Sequence, residues 1–247
     1  MIYGLVGKYL RHSRSKEIFE EGIWGSSTEH TFRYIQTDDL GEAIRSLRSD
    51  DQWGGLMVTT PYKEQVIPLL DHLTPDAEAL GAVNCVRRLA DGTLWGTNTD
   101  WQGFQYSLHL HSISRALVLG TGGAAKSVAY ALRALGIDTC VVSRSSRGDL
   151  TYDHLRETGI GAYDLIVNAT PLGTARLPQE KPPLPYDTLR VDAHLYDLNY
   201  NPAITPFLLE GLQRGTSAQN GMQMLIHQAR VAWDFFQTNE QRLIQHP

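Results

Sequence analysis

The sequence feature that most constrains the fold lies in the middle of the chain, at residues 115–148. An apolar, strand-like run at residues 116–119 leads into GTGGAA, which opens a helix-like segment, and a second apolar run ends in VVSRSSRG. The pattern occupies about 30 residues, the usual size of a βαβ unit with parallel strands. It predicts a Rossmann-type, doubly wound α/β domain in this half of the chain.

The glycine motif in this unit has the spacing of a dinucleotide-binding turn. Gly120 permits a tight turn, Gly122 lets a pyrophosphate approach the backbone, and Ala125 takes the place of the third glycine at the helix–strand contact. The first amides of the following helix would then bind the phosphates. We interpret the turn as a dinucleotide site; a glycine-rich turn without a ligand is the alternative.

The end of the second strand in the unit discriminates between cofactors. An NAD site usually has a carboxylate there, about 20 residues beyond the glycines, which binds the ribose hydroxyls. This sequence has hydroxyls and guanidiniums instead: Ser143, Arg144, Ser145 and Arg147. Because arginine forms bidentate contacts with phosphate, the loop favours the 2′-phosphate of NADP over NAD.

The first hundred residues alternate strand-like and helix-like patterns, and Asp91-Gly92 between two strand-like runs predicts a hairpin. The last long stretch has apolar residues at helical spacing. We therefore predict an α/β protein of two lobes. Residues 1–100 form an α/β substrate-binding lobe onto which about 221–247 pack back as a C-terminal helix, and residues 101–220 form the cofactor-binding lobe.

Two side chains of the first lobe, Lys63 and Asp100, suggest proton transfer. Lys63 follows a Thr-Thr-Pro corner at the end of an apolar strand, where we expect a helix to begin and Pro68 to interrupt it. Asn84 and Asp100 lie at the two ends of the predicted hairpin. A Lys–Asp pair in a cleft can move a proton, although spacing alone favours a structural salt bridge.

The composition excludes several classes of protein. The 247 residues carry a formal net charge of −5, which argues against nucleic acid or an anionic membrane as the main partner. The two cysteines, Cys85 and Cys140, lie in no metal-binding spacing, and no apolar stretch is long enough for a membrane span. We expect a soluble, cytoplasmic protein, a monomer or homodimer, with a small-molecule substrate and no metal.

Eight stretches in one order resemble the shikimate dehydrogenase family: HSRS, VTTPYK, GAVN, GTNTD, GTGGAA, NATPLG, YDLNYNPAITPFL and NGMQMLIHQA. They extend over nearly the whole chain. The resemblance implies a substrate lobe, a Rossmann NADP lobe and a cleft between them. It also implies reversible reduction of 3-dehydroshikimate to shikimate by NADPH, a step of chorismate and aromatic amino-acid biosynthesis.

The resemblance implies a role for each matched position. Lys63 would be the acid/base residue, with Asp100 as its partner. The substrate would be bound at its carboxylate and ring hydroxyls by Ser13, Ser15, Thr59, Asn84, Asp100, Tyr200 and Gln228. The cofactor would be lined by Gly120, Thr121, Gly122, Gly123, Ala124, Ser143, Arg144, Ser145, Arg147, Leu198 and Gly221.

The sequence departs from the family pattern at two positions. Members of the family commonly have asparagine two residues before the motif threonine, where this chain has Met57, and many have proline where this chain has Lys16. With Met57, one hydroxyl-binding amide of the family pattern is absent. A quinate dehydrogenase, with NAD as its cofactor, is therefore an alternative function. A methylene-tetrahydrofolate dehydrogenase relative has a comparable layout, but the paired serines and Gln228 argue against it. A non-catalytic nucleotide-binding relative is the alternative of a different class, and Lys63 and Asp100 oppose it.

Overall fold

A computed structural model describes residues 1–108 and 112–239 of the chain. The chain divides into two compact units. The first consists of Met1–Gly103 together with the chain from Leu225 onward, and the second is Phe104–Met224. Both units are α/β structures built on one sheet each.

The sheet of the first unit is mixed. Its strands are β1 (Ile2–Gly7), β2 (Thr31–Gln36), β3 (Trp53–Val58), β4 (His72–Leu73), β5 (Cys85–Arg88) and β6 (Leu94–Thr97). They are ordered β2-β1-β3-β5-β6-β4. β1 pairs in parallel with β2 and β3, whereas β5 is antiparallel to β3 and β6. The hairpin predicted at Asp91-Gly92 is the β5–β6 connection.

Helices cover both faces of this sheet. They are α1 (Ser15–Glu17), which continues as a π-helix over Ile18–Ile23, α2 (Leu40–Ser49), α3 (Pro75–Leu80) and the long α8 (Met222–Gln237). β1 and β3 are buried along their whole length, as expected for parallel strands covered on both sides. Leu47 of α2 packs in the cluster on one face, and Phe236 of α8 packs in the cluster that holds Tyr3 and Met57. The predicted return of the C-terminal helix to the first lobe is therefore confirmed.

The prediction of a helix after β3 is wrong. Residues 60–66 form consecutive turns, and only a 3-10 turn follows at Ile67–Leu69. Pro68 has no backbone N–H, and in an α-helix its ring would collide with the carbonyl four residues earlier. Lys63 therefore lies in a turn and not at the start of a helix.

The second unit contains an all-parallel sheet. Its strands are β7 (Arg115–Leu119), β8 (Asp138–Ser143), β9 (Leu150–Thr151), β10 (Leu165–Asn168), β11 (His194–Asp197) and β12 (Ser217–Asn220). Its helices are α4 (Asp100–Ser107), which begins in the first unit, α5 (Gly123–Ala134), α6 (Tyr152–Thr158) and α7 (Pro206–Gln213). The strand order β12-β11-β10-β7-β8-β9 is that of the Rossmann fold. This confirms the predicted fold class.

No helix among the described residues is both long and apolar enough to cross a lipid bilayer. Within the same residues, no three His, Cys, Asp or Glu side chains are grouped so that they could hold a metal ion. Cys85 is buried, Cys140 is half-buried, and both are free thiols.

Candidate active site

Lys63 and Asp100 form a close ion pair in the first unit. Lys63 Nζ lies 2.5 Å from Asp100 Oδ2, and the two side chains are only 14% and 7% exposed. Removing two charges from water is costly, and their attraction offsets that cost only when further hydrogen bonds satisfy the remaining atoms. The neighbours of the pair therefore decide what it can do.

The second oxygen of Asp100 is bound by the amide of Asn84, with Nδ2 at 2.9 Å from Asp100 Oδ1. The same Nδ2 lies 3.0 Å from Thr99 Oγ1 and 3.2 Å from Gln228 Oε1. Asn84 Oδ1 accepts the backbone N–H of Thr99 at 2.7 Å, which fixes the orientation of the amide. Four of the residues assigned by resemblance, Lys63, Asn84, Asp100 and Gln228, thus lie in one buried network.

Backbone hydrogen bonds hold the segments that bear this network. The N–H of Val83 donates to the carbonyl of Lys63 at 2.7 Å, and the N–H of Val58 donates to the carbonyl of Asn84 at 2.7 Å. The N–H of Asp100 donates to Asn98 Oδ1 at 3.0 Å. The lysine turn and the hairpin ends are therefore fixed next to the end of β3 without a helix at Lys63.

Ser13 and Ser15 form a second group, in the loop after β1. Their hydroxyl oxygens are 3.2 Å apart, and the N–H of Ser15 donates to Ser13 Oγ at 3.2 Å. Tyr34 of β2 holds this loop, since its hydroxyl donates to the Ser13 carbonyl at 2.8 Å and accepts the N–H of Lys16 at 3.0 Å. Lys16 is exposed, and its backbone N–H makes this contact, which proline could not make.

Thr59 and Met57 lie at the end of β3, with different surroundings. A Cβ atom on Gly7 would lie 2.5 Å from Thr59 Cγ2, so a glycine in β1 is what allows Thr59 to sit against this strand end. Met57 is buried in an apolar cluster that includes Tyr3 and Phe236. Position 57 therefore offers a thioether in apolar surroundings, where an asparagine would offer an amide.

The glycine turn of the second unit lies between β7 and α5. Gly120 has φ +112°, a conformation that favours glycine, and Ala125 is buried. A Cβ atom on Gly122 would have no heavy atom within 4 Å, so packing within the protein does not require glycine there. Close approach of a ligand to this backbone would require it. Thr121, Gly123 and Ala124 complete the turn and the first residues of α5, where free amides are available.

The loop after β8 presents its two guanidiniums to solvent. Arg144 and Arg147 are exposed, and the Ser143 hydroxyl accepts the N–H of Ser145 at 3.2 Å. The next carboxylate along the chain, Asp149, accepts the N–H of Val141 at 2.8 Å. Its position is thereby fixed on the backbone of β8, and the loop itself presents cationic and hydroxyl groups. These groups fit the 2′-phosphate of NADP(H).

Leu198 and Gly221 lie in contact directly after β11 and β12. A Cβ atom on Gly221 would collide with the carbonyl oxygen of Leu198, so this glycine is required for backbone packing. Tyr200 follows in the same loop and is half-buried. Together with the glycine turn and the arginine loop, these residues surround the carboxyl ends of β7, β8 and β11, where doubly wound sheets bind their ligands.

Comparison with known proteins identifies the family. A sequence model described as the shikimate dehydrogenase substrate binding domain matches residues 5–86. A Clostridium botulinum protein named shikimate dehydrogenase (NADP(+)) is 33% identical over 244 residues, which cover 93% of both chains. The chain belongs to the shikimate dehydrogenase family.

Ligand complexes are among the solved structures of similar fold. Shikimate 5-dehydrogenase from Thermus thermophilus in complex with NADP(H) and shikimate has a TM-score of 0.82 at 29% identity, covering 96% of this chain and 93% of that one. Quinate dehydrogenase from Corynebacterium glutamicum in complex with NAD has a TM-score of 0.83 at 29% identity, covering 97% and 94%. Membership of the family therefore leaves the choice between two acids and two cofactors to be argued from this chain's own residues.

Thr99 and Tyr34 contact residues of the site but were not predicted to belong to it. Thr99 lies inside the quoted motif GTNTD and contacts both Asn84 and Gln228, so its hydroxyl was a usable signal. Tyr34 contacts the serine loop from a different strand, and nothing in its local sequence indicates that contact.

Proposed function

We propose that the chain is an NADP-dependent shikimate dehydrogenase, which catalyses the reversible reduction of 3-dehydroshikimate to shikimate. The observation that carries the proposal is the buried Lys63–Asp100 pair, tied through Asn84 to Gln228. A structural ion pair alone would not need a surrounding set of hydroxyl-binding amides. Membership of the family supplies the substrate class.

NADPH, when bound, supplies the hydride that reduces the ketone. Negative charge then develops on the ketone oxygen, and the Lys63 ammonium stabilises it and donates a proton to it from Nζ. Asp100 Oδ2 accepts a hydrogen bond from the same Nζ and holds the ammonium in one orientation. In the direction of oxidation, Lys63 takes up the hydroxyl proton at the same atom.

The remaining polar groups of the first unit are proposed to bind the substrate. Ser13 and Ser15 present adjacent hydroxyls, which suit a carboxylate. Ring hydroxyls would be bound by Thr59, Asn84, Asp100 and Gln228. The family resemblance adds Tyr200, a residue of the second unit, as a group that would assist at the carboxylate. A site of this kind rejects analogues that lack a hydroxyl, because its buried polar groups would be left unpaired.

The cofactor is proposed to bind at the glycine turn with its 2′-phosphate on the arginine loop. Changing both Arg144 and Arg147 to alanine should raise KM for NADP about 10- to 100-fold, because charge-assisted hydrogen bonds contribute about 1.5–3 kcal/mol. KM for NAD should change little. Initial rates with each cofactor measure this, and Arg156→Ala, which removes an exposed arginine paired with Asp153, is the matched control. Equal losses with NADP and NAD would contradict the assignment.

Quinate with NAD is the second candidate, because Met57 lies in apolar surroundings and a quinate dehydrogenase is among the similar structures. Initial rates of nicotinamide reduction with shikimate and quinate, each with NADP and NAD, distinguish the two. Turnover mainly with shikimate and NADP supports the proposal, and a preference for quinate or NAD supports the second candidate. Cofactor binding without turnover of either acid would make the chain a non-catalytic relative.

The proposed reaction also favours a cytoplasmic location, where free thiols such as Cys85 and Cys140 stay reduced. The oligomeric state, monomer or homodimer, stays a prediction.

A further inference from the structure

Asp197, at the end of β11, is a fully buried carboxylate that the mechanism above does not use. Its Oδ1 accepts Asn168 Nδ2 at 3.1 Å and the N–H of Asn199 at 3.0 Å, and its Oδ2 accepts the Thr205 hydroxyl at 2.5 Å. Burial raises the pKa of Asp197 to about 6, against the opposing effect of hydrogen bonds from Thr205, Asn199 and Asn168. Burying a carboxylate is costly, so its place in the structure calls for a reason.

The two amides that Asp197 contacts each hold a neighbouring loop. Asn168 Oδ1 accepts the N–H of Thr170 at 3.0 Å and its hydroxyl at 2.6 Å. Asn199 Nδ2 donates to the carbonyls of Thr170 and Leu172, each at 3.1 Å. One carboxylate therefore holds Asn168 by its side-chain amide and Asn199 by its backbone N–H, and the side chains of these two asparagines contact the loop of residues 169–173.

Both loops pack directly against the glycines of the proposed cofactor site. A Cβ atom on Gly120 would lie 3.3 Å from the Ala169 carbonyl oxygen, and one on Gly221 would collide with the Leu198 carbonyl oxygen. These contacts are too close to absorb a movement, so a displacement of either loop would also displace the glycine turn or Gly221.

We propose that Asp197 is a positioning residue for the reaction. Through Asn168 and Asn199 it fixes the loop that bears Leu198 and Tyr200, and it fixes the 169–173 loop against the glycine turn. The inference rests on the proposed function, in which Leu198 lines the cofactor and Tyr200 assists at the substrate. Asp197 itself is buried, and it acts through the residues that donate hydrogen bonds to it.

The test compares Asp197→Ala with Asp197→Asn in the full-length enzyme. Alanine removes every acceptor, so the Kd for NADP should rise about tenfold, equivalent to about 1.4 kcal/mol, and KM for shikimate should rise with it. The kcat at saturating substrate should fall less than these constants rise, because the acid/base pair is untouched. Asparagine keeps an Oδ1 that can accept from Asn168 and Asn199, while the Thr205 hydroxyl can turn to accept from its amide. It should restore both constants to within about threefold of wild type.

A stability control separates positioning from general loosening. Ile160→Val trims a fully buried side chain of the same unit and should lower Tm without raising the Kd for NADP. If Asp197→Ala does not fold, Asn199→Asp replaces the amide donors that face Thr170 and Leu172, and the same rise in Kd is expected. The proposal is overturned if these variants leave the Kd unchanged, if Ile160→Val raises it equally, or if Asp197→Asn behaves like alanine. Fluorescence titration of NADP needs no turnover, so a wild-type protein that binds NADP but oxidises neither acid would defeat the proposed function and leave this test intact.

Discussion

Replacing Lys63 with methionine should lower kcat by about 10²–10⁴-fold while KM for shikimate changes little. Methionine retains an unbranched apolar stem of similar length but has no proton to give. An interaction that strengthens as charge develops on the reacting oxygen affects kcat, whereas uniform binding affects KM. Steady-state kinetics in both directions, with cofactor saturating, measure the two constants separately.

Lys181→Met is the matched control for this prediction, since it removes an exposed lysine that pairs with Glu210 in the second unit. Its kcat should stay near that of wild type, because exposed ion pairs contribute about 0–1 kcal/mol. A Lys63→Met enzyme with normal kcat would show that the buried pair is only structural. Loss of folding would be recognised by circular dichroism and by a failure to bind NADP.

The sequence predicted those parts of the fold that local patterns determine. The glycine turn, the βαβ unit and the Asp91-Gly92 hairpin each depend on residues within one short segment. The prediction of a helix after β3 failed for a reason also visible in the sequence, because Pro68 is incompatible with an α-helix that continues through it. Pro68 was predicted only to interrupt the helix, whereas residues 60–66 form turns in the structure.

The site was less predictable because its hydrogen bonds join distant segments. Asn84 contacts Gln228 across 144 positions of the chain, and Thr99 contacts the same side chain across 129. No periodicity or spacing rule brings such residues together, so physical reasoning on the sequence alone left Lys63–Asp100 as a salt bridge. The family resemblance supplied the set of residues, and the structure supplies the reason that Asn84 and Gln228 belong with the pair.

Asp197 illustrates what neither approach assigns. It lies in the motif YDLNYNP, next to residues with proposed ligand contacts, and its own contacts are with Asn168, Asn199 and Thr205. A single sequence cannot show whether a carboxylate at a strand end is exposed and functional or buried beneath the loops. The burial of Asp197 and its hydrogen-bond partners decide the question.

Replacing Asp100 with asparagine should damage both stability and turnover, although the two side chains have the same shape. The carboxylate faces a donor on each oxygen, Lys63 Nζ on one and Asn84 Nδ2 on the other. An amide has one acceptor oxygen and one NH₂ group. In either orientation, the NH₂ group of the new asparagine would therefore face a donor, Lys63 Nζ or Asn84 Nδ2. The misplaced donor should cost about 1–3 kcal/mol of folding free energy, which differential scanning calorimetry would detect as a lower Tm.

The kinetic consequence of Asp100→Asn follows from its partner. Without the carboxylate, the ammonium of Lys63 loses the acceptor that orients it, so kcat should fall about 10- to 100-fold. In the double variant with Lys63→Met, the loss should be little more than that of Lys63→Met alone, because residues that act as a unit are not additive. Asp153→Asn, which removes an exposed partner of Arg156, should change neither Tm nor kcat appreciably. Additive losses in the double variant would mean that Asp100 contributes to turnover independently of Lys63, and a lower Tm with unchanged kcat would restrict Asp100 to a structural role.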